Sequence, residues 1–142
     1  MDPMTRLTIE RDCHRLCMDY ARRADERADS FADLFTEDAR LELSGMSMNG
    51  RAEIAAFMSR PRPAAVSRHM ILNVVIDIYS ETAARGLADL VYYGAVTDES
   101  VARLAEISPA AIGTYQDEYR LTAQGWRIAS RRMAAKFVKA SN

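Results

Sequence analysis

Four long segments rich in β-branched and aromatic residues dominate the second half of the chain: Arg68 to Tyr79, about Ala83 to Val96, about Ala111 to Thr122, and Trp126 to Val138. Turn signals at Ser80 to Thr82 and Ala123 to Gly125 separate them, as expected of strands rather than helices. The first half reads as helix. Helices followed by long strands point to an α+β fold, with the helices on one face of a strongly curved, mostly antiparallel sheet. The concavity of such a sheet is where a pocket belongs.

In the helical half, Ile9, Cys13, Leu16, Cys17, Tyr20 and Ala24 recur at helical spacing, and Arg11, Asp12, Arg15, Asp19, Arg22 and Arg23 fill the rest of the wheel. Continued at about 100° per residue, Arg27 falls in the apolar stripe, so the helix ends or bends near Asp25 to Arg27. Ser30 with Asp33 resembles a capping box for a second short helix burying Phe31, Leu34 and Phe35. Ala39 to Leu43 alternates as a strand, SGMSMNG reads as a turn, and a helix over Arg51 to Ser59 stops at Pro61 and Pro63. TDESVARLAEISPA, between Thr97 and Ala110, is a polar connection, either a loop or a short helix over the sheet.

The 142 residues are 49% hydrophobic and 27% charged, which fits one domain spanning 1-142 with a core and an internal pocket. Nineteen Lys plus Arg against twenty Asp plus Glu give a net charge of -1. Nucleic acid is therefore not an expected partner. MDPMTRLTIERD lacks the apolar core of about 7 to 15 residues of a signal peptide, and no run approaches the roughly 18 apolar residues of a membrane span. These features predict a cytoplasmic protein with no membrane partner. Cys13 and Cys17 lie four apart in the helical pattern and read as core hydrophobes; with no histidine pair nearby, no metal site is expected.

Several polar residues interrupt the strands. In Arg68 to Tyr79 the even positions Met70, Leu72, Val74, Ile76 and Ile78 form an apolar face expected to pack on the helices. His69 and Asn73 then share the opposite surface, which is either solvent or pocket. Asp89 shares parity with Leu87, Val91 and Tyr93; Tyr115, Asp117 and Tyr119 share one face of the next strand. Arg131 and Arg132 point to opposite faces, and parity alone does not choose between them.

The ordered set YARRADERADSFADLFTEDARLEL, GRAEIAAFM, SRHMILNVVIDI and GTYQDEYRLTAQGWRIASRRM resembles the SnoaL-like group of the nuclear transport factor 2-like superfamily over nearly the whole chain. The resemblance implies a cone-shaped fold, its sheet wrapped around the N-terminal helix with an apolar pocket inside. Scytalone dehydratase, hexachlorocyclohexane dehydrochlorinase and bile-acid 7α-dehydratase in this superfamily share an Asp from the end of the first helix and a His from the first long strand. The motif matches place these at Asp25 and His69. The stretch from Asp25 to Phe35 is one residue shorter than usual, which leaves Asp29 as an alternative carboxylate. The arginine five residues after Trp126 selects Arg131. Asn73 matches the dehydrochlorinase pattern and Tyr20 the bile-acid enzyme.

This resemblance implies a cofactor-independent lyase or isomerase acting on a small, largely apolar metabolite such as a steroid, terpenoid or aromatic compound. His69 is the expected base, Asp25 its orienter, and Tyr20 and Arg131 the donors to a leaving group or oxyanion, with Asn73, Asp89 and Tyr115 contacting substrate. Histidine suits proton abstraction because its unperturbed pKa is near about 6.5. A non-catalytic ligand-binding or structural small-subunit member, and a polyketide-cyclase-like enzyme, are the alternatives. The family also implies a homodimer or homotrimer. The terminal AAKFVKASN has two destinations open to it, over the pocket or onto a neighbouring chain.

Overall fold

A computed structural model describes residues 1–140 of the chain. Helix α1 runs Pro3–Glu26, six residues earlier than the apolar periodicity alone suggests. The signal was at the start: Asp2 caps the helix by accepting from the Thr5 N–H at 3.0 Å, and Pro3 needs no donor there. Arg27 ends it in the left-handed conformation, φ 51°. Ile9, Cys13, Leu16, Cys17 and Tyr20 are buried along one stripe, and full burial of each aliphatic contributes about 1.5–3 kcal/mol.

Phe31–Leu34 is a single 3-10 turn. Ser30 makes no side-chain cap bond, so the expected capping box does not form. Phe35 instead opens strand β1, Phe35–Leu43, which begins four residues before the alternation becomes visible. SGMSMNG is more than a turn: Ser44 and Gly45 take positive φ and lead into β2, Met46–Asn49, paired antiparallel with β1. Helix α2, Arg51–Ser59, follows as expected. The long strands are β3, Ala65–Ile78; β4, Ala83–Val96; β5, Ala111–Thr122; and β6, Gly125–Val138. Residues 97–110 form no helix. Of AAKFVKASN, the first five residues belong to β6, and the last two lie outside the described residues.

The strands form one sheet in the order β2-β1-β6-β5-β4-β3, antiparallel at every join except β1 with β6. Register shifts in β3 and β6 bend it, and α1 packs across the hollow side. The shift in β3 overturns one expectation. Leu72 pairs with Asp89 and Val75 with Leu87, so Asn73 and Val74 together face one residue, with Asn73 left-handed at φ 51°. Alternation therefore changes phase: Ser67, His69 and Ile71 turn inward before the bulge, and Val74, Ile76 and Ile78 after it. Met70 and Leu72 face out, 50% and 46% exposed, instead of packing on the helices.

Candidate active site

The last turn of α1 lies beside the start of β3, so a carboxylate at residue 25 meets the backbone and side chain of residue 69. Asp25 accepts the His69 backbone N–H, 3.0 Å from Oδ2, and faces the imidazole Nδ1 at 2.6 Å from Oδ1. Ser67 donates its hydroxyl to the same Oδ1 at 2.9 Å. A carboxylate can only accept, so Nδ1 carries the hydrogen and the lone pair sits on Nε2. Among the described residues no hydrogen bond engages Nε2. The two side chains are 8% and 18% exposed, which leaves the imidazole reachable from one side. Asp29 is exposed; the carboxylate that meets His69 is Asp25.

Two aromatic rings flank the imidazole. Tyr20 stands edge-on at 6.4 Å and 86°, and Tyr92, the cross-strand neighbour of His69, lies tilted at 4.8 Å. Tyr92 lies forward along its own strand, over residue 94, because that residue is glycine; a Cβ there would stand 2.6 Å from the phenol oxygen.

Behind Tyr20 lies a buried ionic network. Arg131 is fully buried, its guanidinium 4.3 Å from the Tyr20 ring and 4.0 Å from the Tyr115 ring. Nε and Nη2 each donate to Asp117 at 2.8 Å, and Tyr119 donates to the same carboxylate at 2.6 Å. Cys17 Sγ lies 3.0 Å from the Tyr119 hydroxyl and accepts from Arg131 Nη2 at 3.4 Å. Only Nη1 of this guanidinium lacks a partner. Burial alone would push the Arg131 pKa down, but the Asp117 carboxylate against it holds it well above its ordinary value. Burial pushes the hydroxyls of Tyr20, Tyr115 and Tyr119 up.

His69, Asp25, Tyr20 and Arg131 thus converge in one region, with Tyr115 as the buried wall behind Tyr20 at 5.5 Å. Asn73 and Asp89 do not join them. Ala84, Ala88 and Leu90 of β4 point into the core, which sends Asp89 to the outer face, and the bulge turns Asn73 there too. Asn73 Nδ2 donates to Asp89 Oδ2 at 2.8 Å, and Thr114 Oγ1 donates to Asp89 Oδ1 at 3.0 Å. These two bonds, Asn73 first, hold the Asp89 pKa below its ordinary value.

Ser67 and Tyr92 were not singled out from the sequence, and Asp117 was placed on a strand face without a role. Ser67 was legible, since it lies two residues before His69 on the same strand face. Tyr92 needs the β3–β4 register and Asp117 needs its partner across the sheet, neither of which spacing supplies. Among the described residues, no group of three or more His, Cys, Asp or Glu is placed to hold a metal ion, and no helix is long and apolar enough to cross a membrane.

A family profile described as SnoaL-like domain matches residues 5–132. A search of curated protein sequences finds no match. Among solved structures, the fold is similar to a putative scytalone dehydratase from Novosphingobium aromaticivorans, with TM-score 0.79 and 21% identity over 99% of this chain and 96% of that one. A protein of unknown function from Mycobacterium tuberculosis gives 0.77 and 24% over 97% and 78%. A hexachlorocyclohexane dehydrochlorinase gives 0.79 and 16% over 96% and 90%. A further neighbour, from Nostoc punctiforme, is described as cystatin-like in fold.

Proposed function

The chain belongs to the SnoaL-like family, and from that premise we propose that it is a cofactor-independent lyase or isomerase that uses His69 as a base. One observation carries this reading: Asp25 takes the Nδ1 hydrogen of His69 at 2.6 Å while Nε2 stays unpaired. Nε2 removes a proton from carbon, and the C–H electron pair becomes a double bond. A β-substituent then leaves with its own bonding pair, or the double bond shifts. Asp25 stabilises the imidazolium so formed. Arg131, ion-paired with Asp117 behind Tyr20, braces the Tyr20 ring that stands beside His69. The apolar walls supplied by Tyr20 and Tyr92 favour a small, largely apolar substrate such as a steroid, terpenoid or aromatic metabolite. Similarity in fold to a putative scytalone dehydratase and to a dehydrochlorinase supports this class of chemistry.

One observation favours a second reading, a non-catalytic ligand-binding member: Arg131 is fully buried and two of its nitrogens already serve Asp117. A screen of wild type against steroid, terpenoid and aromatic metabolites, read by thermal shift and mass spectrometry, separates the two. We expect a ligand that wild type converts, with His69→Ala binding it and turning it over about 10²–10⁴-fold more slowly. Binding without conversion by wild type would establish the second reading instead.

A further inference from the structure

The C-terminal ends of both helices meet beside the candidate site. Arg27, the left-handed residue that closes α1, donates from Nη2 to the Pro63 carbonyl at 2.9 Å, which pins the 60–64 connection against the helix end that carries Asp25. That connection leaves α2 and runs into β3 shortly before His69. Within it, Arg60 Nη1 donates to the Phe57 carbonyl at 2.6 Å, its guanidinium 3.8 Å over the Phe57 ring, and Arg62 Nη2 donates to the Met58 carbonyl at 3.3 Å. Three arginines therefore gather at the end of the molecule where Asp25 meets His69.

None of the three is neutralised. No ion pair among the described residues includes Arg27, Arg60 or Arg62. Arg62 is half-buried, and its pKa lies below its ordinary value, first because of that burial and then because of the charges of Arg27 and Arg60. The neighbour that opposes them is Tyr92, whose ring lies 4.8 Å from the imidazole of His69. The Arg62 head thus stands next to the ring that walls the site. Like charges gathered at a half-buried position repel, and an anion among them removes the repulsion. Each carbonyl bond takes one N–H of a guanidinium that has five, so a forked donor edge is left over for a carboxylate or a phosphate. The chain as a whole carries a net charge of -1, so this positive field is local to the mouth of the site.

We propose that the ligand of the His69 site is amphiphilic: its apolar body lies against Tyr20 and Tyr92, and an anionic oxygen group, carboxylate or phosphate, is held at the mouth by Arg62 with Arg27 and Arg60. This assignment rests on the base role proposed for His69, because it takes the imidazole as the inner end of the ligand's path. Calorimetric titration of the full chain with 2-naphthoate, 2-naphthyl phosphate and the neutral 2-naphthamide tests it. Wild type is expected to bind one of the acids roughly tenfold or more tightly than the amide, an advantage that shrinks between about 0.05 and 0.5 M NaCl. The tighter acid identifies the head group. Arg62→Gln is expected to lose most of the advantage, and Arg62→Lys to keep more of it. The two histidines of the chain report the place of binding: in NMR the ring protons of His69 must shift on titration and those of His14, exposed on α1, must not. Equal affinity for acids and amide, no acid binding at millimolar concentration, binding that leaves His69 unmoved, or a folded Arg62→Gln that keeps the full advantage would each overturn the proposal. The comparison of acid, amide and salt needs wild type alone, so a misfolded variant does not remove the test. Loss of the base role reads out separately: wild type would then bind the acids with the same preference but convert no ligand in the metabolite screen.

Discussion

Breaking the Arg131–Asp117 pair from one side and replacing it from both sides are different perturbations. Both side chains are 0% exposed, so removing either partner strands a charge away from water. Asp117→Ala is therefore expected to lose about 3–5 kcal/mol of stability, measured by urea denaturation. Arg131→Met with Asp117→Leu removes both charges and is expected to lose less than half as much, because the groups left without a partner, Tyr119 and Cys17, are neutral. Equal losses would contradict this reading. At this scale the sequence was partly legible. Alternation placed Tyr115, Asp117 and Tyr119 on one strand face but could not choose between Arg131 and Arg132, and only the family resemblance did. The choice depends on which phase β6 keeps through its own register shift, and that phase is set by pairing.

Among the elements, β3 shows most clearly what periodicity can and cannot supply. Its existence and approximate length were readable from its β-branched composition, and the His69 position followed from a motif match. Its inward face was not readable, because one residue in the left-handed conformation reverses the phase of every residue beyond it. Asparagine adopts that conformation more easily than most residues, and a β-branched residue resists it. Asn73→Gly is thus expected to cost under about 1 kcal/mol, mainly the bond to Asp89. Asn73→Val is expected to cost about 2 kcal/mol or more, since backbone strain is added to the same lost bond. Equal unfolding midpoints for the two variants would remove the bulge as the cause. The same reversal sent Asn73 to the outer face, away from the site its parity suggested.

For the whole molecule, buried neutral acids set a limit on the alkaline side. Burial pushes the Cys13 thiol from 9.0 up to about 12, and the three core tyrosines also lie above their ordinary value of 10.0. In the unfolded chain these groups lose protons first, so the unfolded state gains as pH rises. Stability should be at its full value below about pH 9 and fall above it, more steeply beyond about pH 10 where tyrosines join. A melting temperature that stays level from pH 7 to 11 would refute this, and Cys13→Ala should soften the decline between pH 9 and 10. The contact between Asp25 and His69 joins residues 44 apart in sequence, and that between Cys17 and Arg131 joins residues 114 apart. Closing loops of that length is entropically unfavourable until the surrounding surfaces pack. The base and its partner consequently have no local precursor in the chain: hairpins can bring His69 to Tyr92 and Asp117 to Arg131, but Asp25 meets His69 only when helix and sheet dock.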